Sequence, residues 1–214
     1  MSAESCLQVK NLTVRRGWRV LAEKIDLTVN IGERIYIHGG NGTGKSTLLE
    51  SLIGLHRDCR GEHYWLGRKG TPVSHGAFMH GSLVYIPQHH GLFPSLTLKE
   101  NILLKRGVEN SMAEQRMAEL LDRFPELSAA INRRPGRASA GQRQLAACAR
   151  VFMHKPKLLV LDEPTAGLAE EAAERLFELM EQWVLARASM LMTDQNRILG
   201  RKVTDVEYRL DNKN

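Results

Sequence analysis

The run Gly39-Gly40-Asn41-Gly42-Thr43-Gly44-Lys45-Ser46-Thr47 constrains this chain more than any other stretch, because it satisfies the pattern G-x-x-x-x-G-K-[ST]. Before it, Arg34-Ile-Tyr-Ile-His38 reads as a buried strand; after it, Lys45–Ile53 reads as a helix. Glycines let backbone N–H groups turn inward around a polyphosphate, and the positive end of the helix dipole faces the same point. Lys45 adds a charge for the terminal phosphates, and Ser46 a hydroxyl for magnesium. By itself such a run could be a glycine-rich turn with a chance lysine. Its place between a strand and a helix is what the phosphate mechanism requires.

A second segment, Leu158-Leu-Val-Leu-Asp162-Glu163-Pro164, is apolar enough for a strand buried on both faces. Open α/β sheets bind ligands at the carboxyl ends of their strands, which is where the acidic pair falls. Asp162 is then placed to hold magnesium, and Glu163 to orient and deprotonate a water facing the terminal phosphate. An acidic pair after a strand can also be no more than a turn or helix cap.

The remaining periodicity organises the chain around these two motifs. Short β-type runs at Leu7–Val9, Leu12–Val14 and Ile25–Val29 point to an N-terminal antiparallel part. Strands are expected at His63–Leu66 and Leu83–Ile86, with Ser189–Met192 and Val206–Leu210 closing the sheet. Helical spacing runs over Leu98–Leu104, Met112–Phe124, Gln142–His154 and Glu170–Ala186. Strands alternating with helices predict a mostly parallel central sheet with helices on both faces. The 214 residues suit one domain: a core from 1–88 and 151–214, with an inserted helical subdomain over 89–150.

Three widely spaced cysteines form neither a disulfide framework nor a Cys-x-x-Cys pair, so a reducing, cytoplasmic compartment is expected. No signal peptide is expected at the N-terminus, and no run approaches the roughly 18–20 apolar residues of a membrane span. The net charge of +6 fits a solvated basic surface, a nucleotide, an anionic membrane face or nucleic acid. His75, His80, His89 and His90 lack the spacing of a metal site.

With both motifs placed, Gln88 follows the strand Leu83–Ile86, and Ala138-Ser139-Ala140-Gly141-Gln142-Arg143-Gln144 precedes the Leu158–Pro164 segment. This order resembles the ATP-binding subunit of an ABC transporter from about Leu7 to Leu210, with the P-loop NTPase fold that the family implies. Ser139, Ala140, Gly141 and Gln142 match the family signature, which contacts ATP held by the other subunit of a head-to-tail dimer. Gln88 matches the glutamine that meets magnesium and the attacking water. The stretch after it, with Thr97-Leu-Lys-Glu100-Asn101, continues the family pattern. The resemblance implies ATP and Mg2+ as cofactors, integral membrane permease subunits as partners, and a homo- or heterodimer of ATPases. It also implies a peripheral position on the cytoplasmic face of the inner membrane.

Four departures matter. The family stacks adenine on an aromatic residue before a glycine; here Arg16 precedes Gly17 and Trp18 follows it, so a stacked Trp18, a cation–π contact from Arg16 and a plain surface tryptophan all stand open. Ala138 and Ala140 replace Leu and Gly of the signature. Ala169 stands where the family often has an aspartate. Gln195 takes the place of the switch histidine, keeping the hydrogen bond but not the charge. These features are similar to the ATPases of branched-chain amino-acid and urea-type importers, while Ser-Ala-Gly-Gln on a short chain also resembles the haem-handling ATPase of cytochrome c maturation. Two other readings are a nucleotide-gated module with slow hydrolysis and a soluble ABC protein acting on ribosomes or DNA. Nucleic acid is the less expected partner, because the chain has neither a second cassette nor a long insertion.

Overall fold

The computed structural model describes residues 4–89, 91–104 and 108–210; His90 of the histidine group lies outside them. Two sheets share the chain. Strands β1 (Ser5–Arg16), β2 (Arg19–Asn30), β4 (Cys59–Trp65) and β5 (Arg68–Lys69) form an antiparallel sheet in the order β2-β1-β4-β5. The second sheet is parallel, in the order β6 (Leu83–Ile86), β7 (Leu158–Asp162), β8 (Ser189–Thr193), β3 (Arg34–His38) and β9 (Val206–Arg209).

The two short N-terminal runs of the sequence are one strand: a bulge with Asn11 at φ 50° lets β1 continue across its polar residues. The expected strand at 25–29 begins at Arg19, and the one at 63–66 begins at Cys59. Charged residues on exposed positions hid both extensions. β8 also does not close the parallel sheet. It lies between β7 and β3, and β9 takes the edge.

The continuous apolar run of β7 follows from burial on both faces. Leu158 and Val160 pack into a core shared with α1 (Lys45–Ile53) and the antiparallel sheet, while Leu159 and Leu161 pack into the core of the later helices. Helix α1 ends where Gly54, at φ 89°, returns its N–H to the Glu50 and Ser51 carbonyls.

Between β6 and β7 the chain is helical: α2 (Leu98–Leu103), α3 (Asn110–Arg123), α4 (Pro125–Ser128) and α5 (Ala140–Ala149). The Thr-x-x-Glu-Asn run explains itself at α2. Thr97 and Glu100 form a reciprocal capping box. Asn101, fully buried, accepts from the Phe93 N–H at 2.7 Å and donates to the carbonyls of Phe93, Leu96 and Thr97. One buried amide thereby fixes the loop leading into the helix.

Two expected helices change character. The helix expected at 142–154 starts at Ala140 as α5 and tightens into a 3-10 turn over Arg150–Met153. The helix expected at 170–186 is α6 (Glu170–Met180) followed by a π-type turn over Glu181–Leu185. A short helix, α7 (Arg197–Lys202), joins β8 to β9. No helix among the described residues is long and apolar enough to cross a membrane.

Candidate nucleotide site

Four strands of the parallel sheet deliver the site from their carboxyl ends. The Gly39–Gly44 loop follows β3, Gln88 follows β6, Glu163 follows β7 and Gln195 follows β8. They meet at a cleft of about 470 Å³, lined by Asn41, Gly42, Gly44, Lys45, Ser46 and Thr47 on one side and by Gln88, Glu163 and Gln195 on the other. The turn between β1 and β2 supplies a third wall of Arg16, Trp18, Arg19 and Leu21.

Gly39, Gly40 and Thr43 shape the loop from behind. A Cβ on Gly39 would stand 2.6 Å from the Leu210 carbonyl, so the backbone can pass β9 only as glycine. Thr43 Oγ1 donates to the Gly40 carbonyl at 2.9 Å. Lys45 Nζ donates to the carbonyls of Gly39 and Gly40 at 3.2 and 3.0 Å, an ammonium folded onto the loop it would leave to meet a phosphate.

Glu163 is the most constrained side chain of the cleft. It is buried, and its backbone is left-handed at φ 52°, a conformation costly for a residue with a Cβ. Its N–H donates to the Thr193 carbonyl at 2.9 Å. Oε2 accepts two amides, Gln88 Nε2 and Gln195 Nε2, each at 2.9 Å. Residues far apart in the sequence thus converge on one oxygen.

Asp162 is buried behind the rim rather than lining the cleft, and its Oδ1 accepts from Thr193 Oγ1 at 2.6 Å. Trp18 is 93% exposed, so in the cleft wall it presents an open aromatic face beside Arg16.

The signature residues stand apart. None of Ser139, Ala140, Gly141 and Gln142 lines the nucleotide cleft. Ser139 caps α5 in a capping box with Gln142: Gln142 N–H donates to Ser139 Oγ at 3.2 Å, and Ser139 N–H to Gln142 Oε1 at 2.9 Å. Ser139 and Ala140 are exposed, and Ser139, Gly141 and Gln142 line a separate cleft with Gly167 and Leu168. A Cβ on Gly141 would stand 3.0 Å from the Gly167 carbonyl, close enough that the chain needs a small residue there.

Several positioning residues escaped sequence reasoning. Asp194, buried, accepts from the Thr165 hydroxyl at 2.7 Å, from the Thr165 N–H at 3.1 Å and from the Asn196 N–H at 2.8 Å. It locks the turn after Glu163 to the loop carrying Gln195. Gln144, fully buried, donates to the Pro164 carbonyl at 2.8 Å and so ties the signature helix to the same turn. Arg19 and Leu21 join the cleft wall. A polar residue at a core-facing position of a helix was the only available signal for Gln144. Asp194 had none beyond its adjacency to Gln195.

Residues 22–166 match the family model described as "ABC transporter". The chain belongs to the ABC transporter family. Over 189 residues the ABC chain is 32% identical to the high-affinity branched-chain amino acid transport ATP-binding protein BraG of Pseudomonas aeruginosa, covering 88% of this chain and 81% of that protein. It is 35% identical over 189 residues to the lipoprotein-releasing system ATP-binding protein LolD of Xanthomonas campestris pv. campestris, covering 85% and 79%. Among solved structures, an ATP-binding subunit of an ABC transporter superposes with a TM-score of 0.82 at 27% identity, over 96% of this chain and 86% of that one. The ADP- and Pi-bound, post-hydrolysis dimer of the cassette MJ0796 superposes with a TM-score of 0.81 at 22% identity, over 96% and 94%, a likeness of fold. This ABC chain is an ATP-binding ATPase of the transporter type, with the P-loop NTPase fold expected of it.

Proposed function

We propose that this ATPase binds ATP with Mg2+ in the P-loop cleft, pairs head-to-tail with a second ATPase, and powers solute movement through membrane permease subunits. The convergence of the Gln88 and Gln195 amides on one Glu163 oxygen, at the rim of a glycine-rich phosphate cradle, carries the reading. Lys45 and the loop N–H groups hold the phosphates; Trp18 and Arg16 receive the base, by stacking and cation–π contact. Glu163 takes a proton from the attacking water, which Gln88 and Gln195 help to orient. Catalysis here is mostly positioning and electrostatics in a pre-formed site.

Magnesium fits the oxygen donors present. The Ser46 hydroxyl lines the cleft, the Gln88 amide nitrogen faces Glu163 so that its oxygen is left for a cation, and Asp162 is a carboxylate immediately behind. When bound, the ion supplies charge neutralisation at the terminal phosphates.

Ser139, Ala140, Gly141 and Gln142 complete the site of the second subunit. In a head-to-tail pair, their separation from this chain's own cleft is what such a division of labour requires. The division of the chain into a core over 1–88 and 151–214 and a helical subdomain over 89–150 is part of the same proposal. The subdomain receives the permease, at the cytoplasmic face of the membrane. Branched-chain amino acid import is the narrower assignment, supported by the Gln195-Asn196 pair and by the likeness to BraG.

The deciding experiment tags the chain, solubilises native membranes gently and identifies copurifying proteins by mass spectrometry. The expected result is one or two multi-span membrane proteins, with or without a second ATPase. Ribosomal, DNA-associated or other soluble partners alone would sink the transporter assignment and leave the ATP site intact. A second reading, slow hydrolysis in a nucleotide-gated module, is favoured by Ala169 in place of the family's aspartate and by Gln195 in place of its switch histidine. Robust basal turnover that disappears in Lys45→Ala counts against it.

A further inference from the structure

A second cleft, of about 540 Å³, opens at the end of the sheet opposite the nucleotide. Lys157 immediately precedes β7 and Arg187 lies just before β8, whereas the nucleotide groups follow the carboxyl ends of the same strands. A five-residue strand spans about 16 Å, so the two clefts share no wall.

The floor is apolar: Met112, Pro156, Trp183 and Val184. Trp183 is half-buried and sits in the π-type turn that interrupts the helix, a local irregularity that concentrates at functional sites. Its ring is fixed from two sides. Phe152 meets it edge-on at 5.3 Å, and the Arg116 guanidinium lies 5.4 Å from its centroid. Arg116 is itself held by the Phe152 carbonyl.

The rim is cationic. Arg116, Lys155, Lys157 and Arg187 surround the floor, and among the described residues no aspartate or glutamate lines the cleft. Lys155, Lys157 and Arg187 are exposed, and none takes part in an ion pair among the described residues. Elsewhere on the surface, cations such as Lys69, Arg175 and Lys202 do have carboxylate partners. An aromatic anchor pocket inside a ring of unmatched positive charge is complementary to a ligand that brings both an apolar side chain and several carboxylates.

We infer that this cleft is a docking site for an acidic segment of a partner protein, whose apolar side chain seats against Trp183 while its carboxylates meet Lys155, Lys157 and Arg187. Because the cleft is remote from the nucleotide groups, the inference stands whether or not the proposed transport role does.

The test places a photo-crosslinking residue at Gln182, an exposed position on the cleft, in the full chain within its native cells, and sequences the captured segment. The expected result is capture of one acidic segment carrying an aliphatic or aromatic anchor, reduced at least about tenfold in the triple variant Lys155→Glu, Lys157→Glu, Arg187→Glu. The purified triple variant should keep its ATPase turnover and melting temperature, which separates lost docking from lost folding. Capture that the triple variant leaves unchanged would overturn the inference. So would capture of a basic or neutral segment, capture of phospholipid only, or no capture.

Discussion

At the rim of the nucleotide cleft, the functional side chains bond to one another across the fold. Gln88, Glu163 and Gln195 come from the ends of three strands and share one oxygen. At the signature corner the side chains bond to their own neighbourhood. Ser139 and Gln142 close a capping box, and the Gln142 amide goes to the Glu126 carbonyl at 2.9 Å. The first region is pre-organised for chemistry within one chain. The second offers a helix end whose side chains are already satisfied, leaving small residues, backbone N–H groups and the helix dipole to face outward. One ties three strand ends to a single carboxylate; the other leaves a capped helix end facing outward.

The contrast breaks most decisively at Glu163. Glu163→Gln should still bind ATP but lose about 10²–10⁴-fold in turnover, the usual worth of a general base, measured as phosphate release against a nucleotide-binding titration. Turnover near that of the parent would remove the carboxylate from the mechanism and leave the cleft as a binding device.

Asp194→Ala attacks the scaffold behind the same rim. It orphans the buried Thr165 donors and the partly buried Asn196 N–H, so stability should fall by about 1–3 kcal/mol in a denaturant titration. Turnover should fall with it, because the loop carrying Gln195 loses its tie to the turn after Glu163. An unchanged midpoint would mean that water replaces the carboxylate without cost.

Ser139→Ala tests the opposite plan. Loss of the cap should cost about 1 kcal/mol, whereas Ser139→Gly should cost only a few tenths. If the corner serves a partner's nucleotide, ATP affinity of the isolated chain stays constant in both variants while turnover of the assembled pair drops. A weaker ATP affinity in the isolated chain would place the corner in its own site after all.

The smallest effect is acid sensitivity. Burial lowers the pKa of His63, partly opposed by its bond to the Ser51 carbonyl; burial and the neighbouring Arg197 lower that of His38, opposed by Glu207. Both folded values lie below the unfolded value near 6.5, so the folded state binds fewer protons. Their stabilisation is complete above that value and is lost as pH falls below it. Melting temperature should therefore decline from pH 7 towards pH 5, less so in His63→Gln. Because Arg197 Nη2 lies 3.0 Å from His38 Nδ1, just ahead of the phosphate loop, any acid-induced loosening should show in amide exchange there before it shows at Ser139.

What could be read from the sequence divides along the same line. The phosphate loop, the β7 segment and the signature were legible because each concentrates its chemistry in consecutive residues whose backbone conformation does the work. β7 in particular announced itself because both of its faces are buried, which demands an unbroken apolar run. Asp194 and Gln144 were not legible, since Thr165 and Pro164 lie about 20–30 residues away from them and meet them only when β8 pairs with β7 and when α5 packs at the end of β7, respectively. The lengths of β1, β2 and β4 were hidden by exposed charges on antiparallel strands, where one face owes nothing to the core. The π-type turn at Glu181–Leu185 has no local signal, because Trp183 and Val184 read as an ordinary continuation of α6.

The left-handed backbone at Glu163 sets two kinds of selection against each other. A glutamate at φ 52° carries a local cost of about 1–3 kcal/mol that glycine or asparagine would relieve. Sorting a variant library for heat resistance alone should therefore enrich those residues at position 163. Sorting the same library for turnover should restore the acid, so the statistics of this one position would record which pressure a lineage had been under.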